Sequence, residues 1–140
     1  MSTAPLILDT NIVLDVFVFS DAAALPVRQG LQAGRLRWIA TAPMREELAR
    51  VLAYPQIVPR LAFYGLDASG VLAAFDRHAT LVEVAPKADI TCKDPDDQKF
   101  IDLAVAHQAR LLSKDKAVLC MQKRLVARAA WAGPAIDFVA

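Results

Sequence analysis

Hydrophobic positions along the chain fall into short runs separated by longer amphipathic stretches. Leu6-Ile7-Leu8, Trp38-Ile39-Ala40-Thr41, Leu81-Val82-Glu83-Val84 and Arg110-Leu111-Leu112-Ser113 predict four buried strands, and Ala135 to Val139 predicts a fifth. Between them, apolar residues recur at helical spacing. Ala22 to Gly34 carries Leu25, Val27 and Leu31, with Gly34 as a stop. Pro43 to Tyr54 carries Met44, Leu48, Val51 and Leu52, with Pro43 in the first turn and Pro55 beyond the end. Ile57 to Tyr64 and Asp67 to His78 predict a helical middle. Pro95 to Gln108 predicts a helix capped by Asp94, and Lys116 to Trp131 a basic C-terminal helix. Short apolar strands alternating with helices predict parallel strands covered on both faces, hence a layered α/β domain.

The 140 residues suit one domain, 1–140, with no repeat and no linker. A chain of this size buries roughly 68% of its unfolded surface, so it folds without staples. With 56% hydrophobic residues it is not disordered, and no apolar run approaches the ~18 residues of a membrane helix. The two cysteines, Cys92 and Cys120, form no CxxC pair, and with only His78 and His107 a structural zinc site is not expected. The cysteines read as small packed hydrophobes. No signal peptide is visible, so the expected location is cytoplasmic.

Candidate chemistry comes from the acids. In parallel α/β sheets, ligands bind beyond the carboxyl ends of the strands. Asp9 follows the first strand between two apolar triplets, and Asp115 follows the fourth. Each fits either a helix cap or a site carboxylate. Glu47 lies beside the apolar face formed by Met44, Leu48 and Val51, whereas Glu46 pairs naturally with Arg50 on a solvated face. In Asp94-Pro95-Asp96-Asp97, Asp97 fits a capping box and a site role equally well, while Asp96 and Asp102 are expected in solvent near Lys99. Four inward-leaning carboxylates repel one another unless a cation neutralises them. Mg²⁺ or Mn²⁺ favours such oxygen ligands and suits phosphodiester cleavage.

Leu8-Asp9-Thr10-Asn11, Glu47-Leu48, the run Asp94-Pro95-Asp96-Asp97-Gln98-Lys99-Phe100 with Leu103-Ala104, and Ser113-Lys114-Asp115 together resemble a PIN domain. Within that family they resemble the VapC-like toxins of toxin-antitoxin systems. The resemblance spans essentially the whole chain. It implies a three-layer α/β/α sandwich with a central parallel sheet. It also implies an acidic site at Asp9, Glu47, Asp97 and Asp115, the three aspartates holding Mg²⁺ or Mn²⁺. Asn11 and Ser113 would orient the carboxylates, with Thr10 as a helper. The implied activity is metal-dependent endoribonuclease action on single-stranded RNA, restrained by a cognate antitoxin, in a protein that forms a homodimer. Two positions depart from the family's late T-G-D-x-D pattern: Lys114 replaces the glycine and Ala117 the second aspartate. They leave a non-cutting PIN-like module that binds RNA or protein as the alternative.

The net charge of +1 hides an uneven distribution. Asp89 to Asp102 holds five acids and two lysines, whereas Arg110 to Arg128 holds six basic residues and one acid. Lys114, Lys116, Lys123, Arg124 and Arg128 are therefore candidates for RNA backbone contacts, although each singly also fits a solvated helix face. Arg35, Arg37 and Trp38 form a weaker candidate, with Trp38 better placed in the core, and the two histidines are expected at the surface or satisfied rather than catalytic. A haloacid-type phosphatase would place a second acid two residues after Asp9, where Asn11 stands, and a receiver domain needs an acidic pair that is missing.

Overall fold

Three-residue strands can hold a sheet together only if they are buried, and the central ones are. In the computed structural model, which describes residues 4–135, β1 (Leu6–Leu8) and β2 (Trp38–Ala40) are buried throughout. β4 (Arg110–Leu112) and β5 (Trp131–Gly133) are buried but for their first residues. β3 (Ala79–Leu81) is the exposed edge. All pairings are parallel and the order is β3-β2-β1-β4-β5. The chain therefore moves outward from β1 in one direction to β2 and β3, and in the other to β4 and β5. Between β1 and β4 the order reverses, which leaves a crevice at their carboxyl ends.

The helices are α1 (Thr10–Phe17), α2 (Leu25–Gln32), α3 (Ala42–Leu52), α4 (Val58–Phe63), α5 (Ala68–His78), α6 (Gln98–His107), α7 (Lys116–Leu119) and α8 (Gln122–Val126). One group, with α1 against α2 and α3 and α3 against α5, packs together, and α6 packs on β4 and α8. The result is the expected three-layer α/β/α sandwich. Ile7, Ile39, Ile101 and Leu111 are fully buried at its centre. Trp38 lies in that core as expected, stacked on Phe17 at 6.0 Å and edge-on to Phe75 at 4.9 Å. No single helix among the described residues is long and apolar enough to cross a membrane. The bent pair of Thr10–Phe17 with Ala22–Gln32 passes only by combined length and composition, and much of α1 is core.

Three expectations change. The third strand begins two residues early, because Trp38–Ala40 pairs in register with Ala79–Leu81 and Val82 adds only one further bond, its N–H donating to the Ala40 carbonyl at 2.8 Å. The basic C-terminal helix is two short helices, broken at Cys120 and Met121, and ends where Ala129 turns left-handed at φ 61°. Trp131 then enters β5, the fifth strand, where a Cβ on Gly133 would meet the indole ring at 2.4 Å. The expected strand at Ala135 to Val139 is not there at Ala135, and its remainder lies outside the described residues.

Ile7 is fully buried in the central strand, so Ile7→Ala is expected to lower the unfolding free energy by about 2–5 kcal/mol. Urea denaturation measures it, and a loss well under 1 kcal/mol would mean that this strand is not the packed centre.

Candidate metal centre

Asp9 leaves β1 at the carboxyl edge of the sheet and Asp115 leaves the neighbouring β4 after Ser113 and Lys114. Asp97 arrives from the turn before α6. Carboxylate oxygens of these three residues lie within 4.8 Å of one another. Asp9 and Asp97 are buried and Asp115 is half-buried. They meet at the crevice where the strand order reverses, the place that topology alone favours for a ligand.

Two of the three acids are helix caps as well as site residues. Asp9 Oδ1 accepts the Thr10 N–H at 2.7 Å, and Asp115 Oδ1 accepts the Ala117 N–H at 2.9 Å. These bonds fix the carboxylates while leaving oxygens over. Ser113, fully buried, links the pair: its Oγ donates to Asp9 Oδ2 at 2.6 Å and accepts the Asp115 N–H at 2.9 Å. The hydroxyl at this position thus orients one carboxylate and the backbone of the other.

Asp97 is different. Asp94 caps the 3-10 turn Pro95–Asp97 by accepting the Asp96 N–H, so that work is done. Asp97 stands at the N-cap of α6 but makes no side-chain cap bond. Its Oδ2 is buried and meets no donor among the described residues. Burial pushes its carboxyl up to about 8, helped by a proton shared with Asp115 and by the charges of Asp9, Asp115 and Asp94. Burial also raises Asp9, with Glu47 and Asp115 adding to the shift and the Ser113 and Thr10 bonds opposing it. A carboxylate with one orphaned buried oxygen, clustered with two further carboxylates, is one that a cation would satisfy. Oxygen-only donors of this kind fit Mg²⁺ or Mn²⁺, and the three aspartates are the residues that would hold it.

Glu47 stands beside this cluster rather than in it. Its Oε2 accepts the Thr10 hydroxyl, and its Oε1 takes an ion pair from Lys99 Nζ at 2.7 Å. Lys99 also donates to the Asp96 carbonyl and lies over the Phe100 ring. Lys99 therefore turns inward rather than toward solvent. Asp102 likewise is half-buried, accepting from the Ala88 N–H at 2.9 Å and Gln98 Nε2 at 2.7 Å. The Lys99 to Glu47 pair joins α6 to α3 across 52 residues, and no local spacing signals it. Among the described residues the surface ion pair on α3 is Arg45 with Asp76, not Glu46 with Arg50.

The remaining candidates divide. Asn11 Oδ1 accepts the Lys114 N–H at 3.4 Å, which ties it to the loop after β4. Lys114 Nζ is paired at 2.8 Å with Asp15, a buried acid on α1. Arg128 forms a two-pronged pair with Asp89. Lys116, Lys123 and Arg124 are exposed. His78 stacks on Phe17 at 5.6 Å, and burial, then Arg77, lowers its pKa. Of the cysteines, Cys92 is buried as expected, but Cys120 is exposed at the end of α7, where no layer covers it.

Two outcomes test the site. Without metal, the folded state holds the Asp97 proton up to about pH 8 while the unfolded chain releases it near pH 4, so stability falls as pH rises between these values. Thermal melts in a chelator should show that decline, a flatter profile for Asp97→Asn, and recovery at pH 8 on adding Mn²⁺. Lys99→Met strands a half-buried Glu47 and is expected to cost about 1–3 kcal/mol by urea denaturation; an unchanged midpoint would mean the pair is idle.

No curated protein matches the chain. Residues 5–117, which contain every acid of the centre as well as Glu47, match the PIN domain family. PIN domains are generally metal-dependent nucleases. With the parallel five-stranded sheet, the crevice between β1 and β4 and the aspartate cluster inside it, the chain belongs to the PIN domain family.

Proposed function

We propose that the protein is a Mg²⁺- or Mn²⁺-dependent endoribonuclease that cleaves single-stranded RNA. The observation that carries this reading is the buried Asp97, whose Oδ2 has no donor among the described residues and whose carboxylate clusters with those of Asp9 and Asp115. A divalent ion there supplies an activated water and stabilises charge on a phosphoryl oxygen. The protein's own part is positional. Asp9, Asp97 and Asp115 present the ligand oxygens, Ser113 holds Asp9 in place, and Asp9 and Asp115 stay anchored by the helices they cap. Glu47, kept beside the cluster by Thr10 and Lys99, adds negative charge next to Asp9 without a cap to serve.

RNA would reach this edge across Lys116, which follows Asp115 directly, with Lys123 and Arg124 on α8 as further backbone contacts. Lys114 and Arg128 are engaged with Asp15 and Asp89, so they join an RNA contact only by giving up those pairs. In keeping with the VapC-like resemblance, we read the protein as the toxin of a toxin-antitoxin pair, acting in the cytoplasm as a homodimer and silenced by a cognate antitoxin. The second reading, a PIN-like module that holds RNA or protein without cutting it, draws on Ala117, which leaves one carboxylate fewer beside Asp115.

The test is cleavage of single-stranded RNA by the purified, partner-free protein with Mn²⁺ or Mg²⁺. Asp9→Asn and Asp97→Asn are each expected to lower the rate at least about 100-fold. Ser113→Ala is expected to lower activity or metal affinity about 10- to 100-fold. Cleavage that persists in both aspartate variants removes the site. RNA binding without cleavage under either metal favours the second reading.

A further inference from the structure

Cys92 and Cys120 are the chain's only cysteines, and the fold brings them to one atom. Each Sγ lies 3.3 Å from the Ala117 carbonyl oxygen on α7. Two sulfurs on one oxygen are separated by at most two such contacts, and the exposed Cys120 side chain must move to bring them to the ~2.05 Å of a disulfide. Cys92 is held by its own N–H, which donates to Gln98 Oε1 at 2.7 Å, two residues before Asp94 begins the turn that delivers Asp97. Cys120 ends the helix that Asp115 caps. We propose that Cys92 and Cys120 are a reversible disulfide site that ties the turn bearing Asp97 to the helix capped by Asp115.

The chemistry needs an oxidant, and a peroxide serves. Cys120 is exposed and reacts first, whereas burial raises the Cys92 thiol. The Cys120 sulfur attacks one peroxide oxygen. The O–O bond breaks, an S–O bond forms, and the departing hydroxide takes the thiol proton to leave as water. The Cys92 sulfur then attacks the Cys120 sulfenic acid. The S–S bond forms, the S–O bond breaks, and the second hydroxide leaves as water with the Cys92 proton. Two thiols are oxidised and one peroxide is reduced to two waters. A dithiol reductant reverses the bond by exchange.

The experiment treats the full-length, reduced protein with hydrogen peroxide, alkylates what thiols remain, and measures intact and peptide masses. The expected product is a monomer lighter by two hydrogens, without alkylation, yielding a peptide pair joined at Cys92 and Cys120. Dithiothreitol should restore two alkylatable thiols. In Cys92→Ser the reaction should stop at a Cys120 sulfenic acid that dimedone traps. Over-oxidation of wild-type Cys120 with Cys92 still alkylatable, or a disulfide between chains through Cys120, overturns the proposal. The mass readout involves neither metal nor RNA, so its failure and a failure of the nuclease reading are separate results.

Discussion

Three carboxylates crowded into a buried crevice are unfavourable by themselves, and the surrounding structure is arranged to hold them there. Desolvation raises Asp9 and Asp97, and each acid repels the others. The cost is offset locally. Asp9 and Asp115 each accept a helix N-terminal N–H, and the Ser113 hydroxyl bridges the ends of β1 and β4. The parallel register of those two strands, Leu6 to Leu8 against Arg110 to Leu112, sets Asp9 level with Ser113, two residues before Asp115. Asp97 alone has no such compensation, which is why it responds most strongly to its surroundings and why a cation suits it.

Electrostatics around the cluster is more self-contained than the uneven charge distribution suggests. Lys99 answers Glu47, Lys114 answers Asp15, and Arg128 answers Asp89. The Lys99 and Lys114 pairs join separate parts of the chain, so they brace the helices bordering the site as much as they balance charge. The exposed Arg128 pair contributes little to stability. Lys114 shows how a lysine can stand where the family has glycine: its ammonium is drawn toward α1 and Asp15.

Much of this was legible in the sequence. The apolar runs at 6–8, 38–40 and 111–112 marked the three central strands, because strands buried on both faces need nearly continuous hydrophobicity. Asp9 and Asp115 read equally as helix caps or site carboxylates, and the structure has each cap a helix while lying in the cluster. Asp97 was ambiguous, since capping and ligation call for the same residue type, and only the Asp94 cap separates them. The partners of Glu47 and Lys114 were hidden because they depend on tertiary distance. The C-terminal segment misled for a related reason: its basic, amphipathic run has helical spacing, but pairing with β4 draws Trp131 into the sheet and a left-handed Ala129 makes the turn.

The central claim is that Asp9, Asp97 and Asp115 form a site for a divalent ion and that Asp97 gives up a proton to complete it. Calorimetric titration of Mn²⁺ at pH 7, repeated in buffers of different ionisation enthalpy, measures both parts at once. With an Asp97 carboxyl near pH 8, binding should release about one proton per ion, and that release should vanish in Asp97→Asn. Absence of binding, or binding with no proton released by the wild type, would contradict the account.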